Sequence, residues 1–203
     1  MTDLAEDRGP GRPRCQDTRQ SILRAAYEMF EEGEDQPFTI EAVARRSGAA
    51  KTTIYRWWPS KGALAIEAFL AIAEKRSAFP ESGSAIGDLR TQVKLLAKLL
   101  RGRAGRLVAG IIAEAQSDPE TKKAFLDGYL KPRRVSAARL IERGMANGEL
   151  RPGLDVETVC DALYGPLYLR LILKHGLGDD GAINQLVDIV FDGIRATPAL
   201  ARQ

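Results

Sequence analysis

Apolar residues recur at every third or fourth position along most of this chain. Leu89, Val93, Leu96 and Leu100 are one example of this spacing. Such a period places apolar side chains along one face of an α-helix, whereas a half-buried strand would alternate apolar and polar residues. No segment of the sequence sustains that alternation. The sequence therefore predicts an all-α fold of about nine helices.

The composition fits a folded protein without a metal or cofactor site. With 203 residues, 44% of them hydrophobic, the chain is long enough for one large domain or two small ones. Two distant cysteines and a single histidine, His175, exclude a disulfide scaffold and a Cys/His zinc site. Cys160 falls on the apolar side of its helix, so we expect a small core residue rather than a redox sensor.

Neither enzymatic chemistry nor membrane insertion has a basis in the sequence. Glycine-rich nucleotide loops, the nucleophile elbow and the zinc-protease helix motif are all missing. No stretch reaches about 18 uncharged apolar residues, the length that a membrane-spanning helix needs. The acidic N-terminus lacks the apolar core of a signal peptide. We expect a cytoplasmic protein that is not an enzyme.

Basic and acidic residues are segregated along the N-terminal third of the chain. Residues 8–24 hold five arginines against one acid, and residues 42–66 hold five basic residues and no acid. Between them, residues 28–35 hold five acids and no base. Because the net charge is only +3, it is this segregation that points to surfaces in contact with a polyanion such as DNA.

The first 16 residues form a Gly/Pro-rich basic arm that we expect to be flexible. The segment Gly11-Arg12-Pro13-Arg14 resembles the core of an AT-hook, in which arginines enter a narrow minor groove. Arg12 and Arg14 are therefore candidate DNA contacts, and a tail that merely adds charge is an equal alternative. The first helix is predicted to begin at Asp17, which can form a capping box with Gln20.

Residues 38–60 predict two short helices joined by a tight turn. Thr39 is a good N-cap for the first helix, and Gly48 suits a turn with a left-handed backbone. The second helix spans about residues 50–57, and Ile54 can fill the small core beneath it. Its exposed side offers hydrogen-bond donors and aromatic rings: Lys51, Thr52, Thr53, Tyr55, Arg56 and Trp57. This arrangement predicts a helix-turn-helix whose second helix enters the major groove.

Three short segments follow one another in this region: Phe38-Thr39-Ile40, then Ser47-Gly48, then Lys51-Thr52-Thr53-Ile54-Tyr55-Arg56-Trp57-Trp58-Pro59-Ser60-Lys61. Together they resemble the DNA-binding domain of the tetracycline-repressor (TetR/AcrR) family. The resemblance is strong over residues 17–65 and looser beyond them. It implies an N-terminal three-helix DNA-binding domain, here residues 17–62. It also implies a C-terminal helical domain, here residues 63–203, that binds a small effector and dimerises.

The resemblance also assigns roles to individual residues. Positions that usually contact phosphates are occupied by Thr39, Lys51, Tyr55 and Lys61. Positions that usually face the bases or the adjacent backbone are occupied by Thr52, Thr53, Arg56 and Trp57. Ala50 departs from the family, whose members often have a capping Ser or Thr there. One of Trp57 and Trp58 is expected to be buried, and the sequence leaves open which.

The C-terminal part of the sequence predicts longer helices. One spans about residues 119–147 and is expected to kink at Pro132. The last two helices, within residues 155–196, carry enough apolar residues for two stripes each, which predicts a homodimer built on a four-helix bundle. The alternative is that both stripes serve the core of one chain. Plausible lining residues for the implied effector pocket are Leu100, Ile111, Tyr129, Leu163 and Tyr164.

Together these features predict a ligand-responsive transcriptional regulator. We expect a repressor that binds a palindromic DNA operator as a homodimer and is released by a small-molecule effector. An alternative is an architectural DNA-binding protein that uses the basic arm without a defined operator. A helical domain with a decayed helix-turn-helix is disfavoured by the intact donor set from Lys51 to Lys61. Preference for an operator over random DNA by about 10³-fold or more separates the first two.

Overall fold

Ten α-helices and one π-helical turn make up the residues that this computed structural model describes, 12–32 and 38–196. The helices are α1 (Arg12–Glu32), α2 (Ile40–Ser47), α3 (Lys51–Trp57), α4 (Lys61–Arg76), α5 (Ala85–Arg101), α6 (Arg103–Glu114), α7 (Pro119–Phe125), α8 (Lys131–Ala146), α9 (Val156–Leu173) and α10 (Asp180–Ile194). The π turn (Leu126–Leu130) joins α7 to α8 without a break, so these residues contain nine continuous helices. The predicted all-α fold is confirmed. Within the described ranges, every helix is too short or too polar to cross a membrane.

Short polar side chains begin six of these helices. The capping residues are Thr39, Ser60, Ser84, Asp118, Asp155 and Asp179, and each accepts a hydrogen bond from an amide of the first turn. Such a bond satisfies an amide that lacks a partner within the helix and contributes about 1 kcal/mol. The predicted cap at Thr39 is confirmed. Gly48 ends α2 with a φ of 71°, the left-handed conformation that the sequence predicted for the turn.

Helix α1 begins at Arg12, earlier than the predicted start at Asp17. The prediction of a flexible arm is therefore wrong for residues 12–16, and so is the capping box at Asp17. Pro13 lies in the first turn, where a helix amide has no partner within the helix, so the missing N–H of proline has no cost there. The rest of the predicted arm, residues 1–11, lies outside the described residues.

The helix predicted at 119–147 is interrupted at its centre by the π turn. Pro132 has no N–H, and its ring occupies the space of the carbonyl group four residues earlier. The wider π turn changes the spacing of the backbone hydrogen bonds just before the proline. The irregularity expected at Pro132 thus extends back over Leu126–Leu130, and the turn places Tyr129 in the core.

The N-terminal helices enclose a small core. Helix α1 packs against α2 and α4, and α3 contacts both α1 and α2. Ile22, Val43 and Ile54 are completely buried where these helices meet. Burying one such side chain contributes about 1.5–3 kcal/mol. Ile54 thus anchors α3, as the sequence predicted.

Helix α4 links this core to the C-terminal helices. It packs against α6 and α7 as well as α1. At its N-terminus the hydroxyl of Ser60 lies 3.1 Å from Oγ1 of Thr121 in α7. A Cβ atom on Gly62 would lie 2.3 Å from the same oxygen, so the approach requires glycine. The first turn of α4 and the first turn of α7 are therefore in direct contact.

The loop between α8 and α9 caps helix α5 from outside. Glu149 accepts hydrogen bonds from the backbone N–H groups of Ala85 and Ile86, at 2.9 and 3.0 Å, and from the hydroxyl of Ser84 at 2.8 Å. Burial alone would raise the pKa of Glu149, but these bonds and one from Asn147 outweigh it and hold the pKa at about 2. The carboxylate therefore joins the α8–α9 loop to α5 as an anion at neutral pH.

Candidate nucleic-acid interface and C-terminal cavity

Helix α3 buries one side chain and exposes a row of others. Ile54 is completely buried, whereas Tyr55 and Trp57 are 49% and 37% exposed. The exposed side chains are Lys51, Thr52, Tyr55, Arg56 and Trp57, and Thr53 is half-buried. Exposed aromatic rings of this kind are typical of surfaces that meet a partner. The six residues predicted for this surface therefore lie together on the outside of α3.

The backbone, rather than a side-chain cap, sets the start of α3. Ala50 precedes the helix and has no side-chain acceptor, as the sequence indicated. The amides of Thr53 and Ile54 both donate to the carbonyl oxygen of Ala50, at 2.9 and 3.2 Å. The preceding turn is joined to α1 because the hydroxyl of Ser21 donates to the carbonyl oxygen of Ser47 at 3.3 Å. This hydrogen bond therefore connects the turn between α2 and α3 to helix α1.

Arg19 and Glu67 fix the C-terminal end of α3 through two tryptophans. Trp58 is 3% exposed, and its indole N–H donates to Oε2 of Glu67 at 2.7 Å. Arg19 forms an ion pair with Glu67. Its guanidinium lies 5.8 Å from the ring centre of Trp57 and 5.4 Å from that of Trp58. Trp58 is therefore the buried tryptophan, and Trp57 stays at the surface beside the other exposed residues of α3.

Two predicted phosphate-contacting lysines are paired with exposed or half-exposed carboxylates. Lys51 lies 2.6 Å from Glu41 of α2, and Lys61 lies 3.4 Å from Glu114 of α6. The hydrogen bond from Lys51 lowers the pKa of Glu41. Exposed ion pairs of this kind contribute only about 0–1 kcal/mol, so a phosphate can replace either carboxylate. The hydroxyl of Thr39 caps α2, which places this residue at the start of that helix.

Arg12 and Arg14 lie in the first turn of α1. Their side chains are outside the described part of the structure. Contact between these arginines and a minor groove stays a prediction.

A cavity of about 230 Å³ lies among the C-terminal helices. Its apolar walls include Phe79, Leu96, Ile112, Phe125 and Leu130. The polar residues at its surface are Gln92, Arg133, Arg134, Asp161, Tyr164 and Tyr168. A largely apolar cavity with a few polar groups is the usual form of a small-molecule site. Helices α5, α6, α7, α8 and α9 all contribute to it.

Tyr164 is the one of the five predicted lining residues that borders this cavity. Tyr129 is buried behind the wall, where its hydroxyl lies 3.3 Å from that of Tyr168. For this cavity the prediction of Leu100, Ile111 and Leu163 is wrong. All three are buried in the core, and Leu100 borders a separate open groove instead. Helical periodicity identifies buried faces, but it does not locate the gaps between them.

Two buried polar groups at the cavity have no hydrogen-bond partner among the described residues. Gln92 is completely buried with both Oε1 and Nε2 unbonded, and the hydroxyl of Tyr164 is also unbonded. Burial raises the pKa of Tyr164, so its hydroxyl stays protonated. Our sequence reasoning missed Gln92. The signal was its position within the apolar run of α5, between Leu89 and Leu96.

Arg133 brings a positive charge to the same cavity. Its guanidinium donates to the carbonyl oxygen of Ser77 at 2.7 Å and lies 5.0 and 5.6 Å from the ring centres of Phe79 and Tyr129. Burial raises the pKa of Tyr129 and Tyr168, and the charge of Arg133 offsets part of that rise. The sequence did not single out Arg133, because a basic residue on a helix is usually solvated.

Arg134 and Cys160 also border the cavity, and their surroundings indicate structural roles. Arg134 forms ion pairs with Glu157 and with Asp161, the latter at 2.6 Å. Cys160 is completely buried, and burial raises the pKa of its thiol to about 11. A thiol that stays protonated at neutral pH is a poor nucleophile. The prediction that Cys160 is a core residue is confirmed.

Helix α9 carries two apolar stripes, and α10 carries a buried stripe and one exposed isoleucine. The inward stripes are buried and include Leu163, Leu167, Ile183, Val187 and Phe191. The outward stripe of α9 consists of Leu169, Ile172 and Leu173, and Ile189 is the exposed apolar residue of α10; these four side chains are between 48% and 73% exposed. A single chain therefore leaves a large apolar surface uncovered here. This disfavours the alternative in which both stripes belong to one core.

The structure is that of an all-helical regulator with an N-terminal helix-turn-helix and a cavity in its C-terminal helices. Residues 22–68 match the family model described as bacterial regulatory proteins, tetR family. Residues 79–190 match the model described as tetracyclin repressor-like, C-terminal domain. The chain belongs to the TetR family of transcriptional regulators, as its motif predicted, and its helix-turn-helix is of the DNA-binding kind.

Relatives that match over most of the chain are named as transcriptional regulators. The uncharacterized HTH-type transcriptional regulator YdeS of Bacillus subtilis is 35% identical over 93% of this chain and 96% of that protein. The DNA-binding transcriptional repressor TetR of Mycobacteroides abscessus is 30% identical over 86% of this chain and 92% of that protein. The crystal structure of the TetR family transcription regulator SCO0332 superposes with a TM-score of 0.76 at 36% identity, covering 87% of this chain and 98% of that chain.

Proposed function

We propose that this chain is a transcriptional repressor that binds a palindromic operator as a homodimer and is released by a small molecule in the C-terminal cavity. The observation that carries the proposal is that α3 has two different faces. One face buries Ile54, and the other presents hydrogen-bond donors and aromatic rings to solvent. Such a helix reads base edges in the major groove. The DNA-binding unit is the one predicted at residues 17–62, and the remaining residues to 203 bind the effector and dimerise.

The residues around α3 divide the work of DNA recognition. Contacts to phosphates come from Thr39, Lys51, Tyr55 and Lys61. Contacts to bases or to the adjacent backbone come from Thr52, Thr53, Arg56 and Trp57. Lys61 begins α4, whose N-terminal amides also favour a phosphate. The phosphate contacts supply affinity that salt weakens, whereas the contacts to bases supply sequence preference.

Dimerisation is supported by the exposed apolar residues of α9 and α10. Pairing Leu169, Ile172, Leu173 and Ile189 with a second copy would bury the apolar surface that one chain leaves uncovered. Four helices from two chains then form a bundle within residues 155–196. A two-fold dimer places two copies of α3 about one DNA turn apart, so the operator is an inverted repeat.

Effector binding is coupled to DNA through helix α7. Phe125, at the end of α7, forms part of the cavity wall, and Thr121 of the same helix contacts Ser60 and Gly62 at the start of α4. A ligand that displaces α7 therefore displaces the turn that carries Lys61. To weaken DNA binding tenfold, this coupling has to supply only about 1.4 kcal/mol.

The test is binding of the purified full chain to labelled DNA from its own upstream region, with random competitor DNA, at two salt concentrations. We expect tight binding that competitor does not remove, and loss of that preference in Arg56→Ala. Arg139→Ala removes an exposed arginine of α8 and serves as the matched control, which should bind as the parent does. Equal binding to the upstream and random DNA would overturn the repressor and favour the architectural alternative.

A further inference from the structure

The cavity combines an apolar interior with hydrogen-bonding groups that the protein leaves unused. The apolar residues Leu96, Ile112, Phe125 and Leu130 line a space of about 230 Å³. Near them, the Gln92 amide is completely buried, and neither of its polar atoms is bonded within the described residues. Native proteins seldom leave buried amides without a partner, because such a group is destabilising. A ligand that bonds to this amide removes the deficit.

The hydroxyl of Tyr164, in α9, is a second hydrogen-bonding group of this kind. It is buried without a hydrogen-bond partner among the described groups, and it borders the same cavity from α9. By contrast, the neighbouring Tyr168 donates to Tyr129 and is satisfied. The unsatisfied hydrogen-bonding groups at the cavity therefore belong to two helices, α5 and α9.

Arg133 gives the cavity its charge. Within the described part of the chain, no carboxylate lies within ion-pair distance of its guanidinium, which donates to the carbonyl of Ser77 and stacks on aromatic rings. Arg134 differs, because Glu157 and Asp161 neutralise it, and those two carboxylates are 65% and 72% exposed to solvent. Arg133 instead acts on buried phenols, since its charge lowers the pKa of Tyr129 and Tyr164 against the effect of burial.

We infer that the effector is a small monocarboxylate with an apolar body, an assignment that rests on the proposed function. Its carboxylate accepts from Arg133, from the Gln92 amide N–H and from the Tyr164 hydroxyl, while its body packs against the apolar wall. The carbonyl oxygen of Gln92 remains for a hydroxyl or amide donor on the same ligand. Arg134 is paired with Glu157 and Asp161, so the charge that remains for a ligand is that of Arg133. This guanidinium matches a single negative charge, and a cationic ligand would meet it unfavourably.

The test uses probes that differ only in their head group. Octanoate, octanamide and octylamine form one series, and phenylacetate, phenylacetamide and phenethylamine form another. Titration calorimetry with the full chain, without DNA, should show a carboxylate binding about tenfold or more tightly than its amide and amine, as expected for charge-assisted hydrogen bonds. Failure of both carboxylates to bind, or an amine that binds as tightly, would overturn the inference.

Variants separate the roles of charge and fold. Arg133→Met should abolish the preference for carboxylate, whereas Arg139→Met, the same change at an exposed arginine of the same helix, should retain it. Because Arg133 also bonds to Ser77, Gln92→Met provides a second variant that keeps the charge and should weaken carboxylate binding about tenfold. An unchanged carboxylate affinity in both folded variants would overturn the assignment.

Adding the same probes to the protein–DNA complex distinguishes the two proposals. Release of DNA by the carboxylate that binds the free chain would support both. Tight carboxylate binding without release of DNA would keep the ligand class and overturn its role as effector. A third outcome is that the chain binds DNA specifically, while no probe binds the free chain and no probe affects the complex. This outcome would support the DNA-binding function and overturn the carboxylate assignment.

Discussion

The hydroxyl oxygens of Ser60 and Thr121 lie 3.1 Å apart and join the first turn of α4 to the first turn of α7. The Thr121 hydroxyl also donates to Asp118, the residue that caps α7. Thr121 is completely buried, so the contact is shielded from water. Since α4 begins beside the helix-turn-helix and α7 ends at the cavity wall, this pair of hydroxyls is a direct polar link between the helices that carry the two sites.

The close contact between the first turns of α4 and α7 predicts that Gly62→Ala destabilises the chain. The new Cβ would lie 2.3 Å from Oγ1 of Thr121, so the two first turns must separate. We expect a loss of about 1–3 kcal/mol in the free energy of unfolding, measured by urea denaturation. Thr121→Ala removes the two closest atoms, so the double variant should lose less than the sum of the two single variants.

Gly110 provides the control for that substitution. It also lies in a helix, α6, but a Cβ there would meet nothing within 4 Å. Gly110→Ala should therefore be neutral or stabilising, by up to about 1 kcal/mol. The close contact between α4 and α7 would be contradicted if Gly62→Ala and Gly110→Ala changed the free energy of unfolding equally. It would also be contradicted if the effects of Gly62→Ala and Thr121→Ala were strictly additive.

The two adjacent tryptophans should respond differently to the same change. Trp58→Phe removes the buried indole N–H that donates to Glu67, so we expect a loss of about 1–3 kcal/mol in the free energy of unfolding. Trp57→Phe changes an exposed ring, so stability should shift by no more than about 0.5 kcal/mol while operator affinity falls. Thermal unfolding and DNA titration of both variants check this, and a reversed order would refute the assignment of the two rings.

Local sequence signals predicted the N-terminal half well because its chemistry is local. Thr39 caps the helix that follows it, Gly48 supplies a left-handed turn, and Ile54 is the apolar residue of a short polar helix. Which tryptophan is buried depends instead on Arg19 and Glu67, which are distant in sequence. The early start of α1 was missed because the Gly/Pro-rich, polar composition of residues 1–16 indicated a flexible arm, although proline is tolerated in a first turn.

The unsatisfied amide of Gln92 predicts that its removal stabilises the chain without ligand. Gln92→Met keeps a similar shape and removes two buried polar atoms that lack partners among the described residues. We expect the free energy of unfolding to rise by about 1–2 kcal/mol. Gln116→Met, at an exposed glutamine of similar size, should change it by less than about 0.5 kcal/mol. A marked loss of stability in Gln92→Met would show that the amide is satisfied in solution.

The cavity was the least predictable feature of the sequence. Its lining comes from five helices, and a periodic pattern describes one helix at a time. Leu100 and Leu163 have the same pattern as Leu96, yet only Leu96 of these three faces the cavity. The position of the π turn, which sets where Tyr129 points, depends on how α7 and α8 pack against their neighbours.

Glu149 predicts a dependence of stability on pH. Its pKa of about 2 in the folded chain is below the ordinary value of 4.5, so its contribution is complete above pH 4.5 and is lost as the pH falls towards 2. Glu149→Gln should therefore cost about 1–2 kcal/mol at pH 7, and the difference from the parent should shrink steadily in acid. Urea denaturation across this range checks it, with Glu142→Gln on the exposed side of α8 as control. A difference that does not change with pH would contradict this role.

Operator recognition by α3 is tested by selecting bound sequences from a random double-stranded DNA library with the full chain. We expect an inverted repeat whose half-sites lie about one helical turn apart. Arg56→Ala should change the preferred bases, whereas Lys51→Ala and Lys61→Ala should keep the same repeat and bind it more weakly, with a reduced salt dependence. If no sequence is enriched, or if Arg56→Ala selects the same sequence as the parent chain, α3 does not read the operator as proposed.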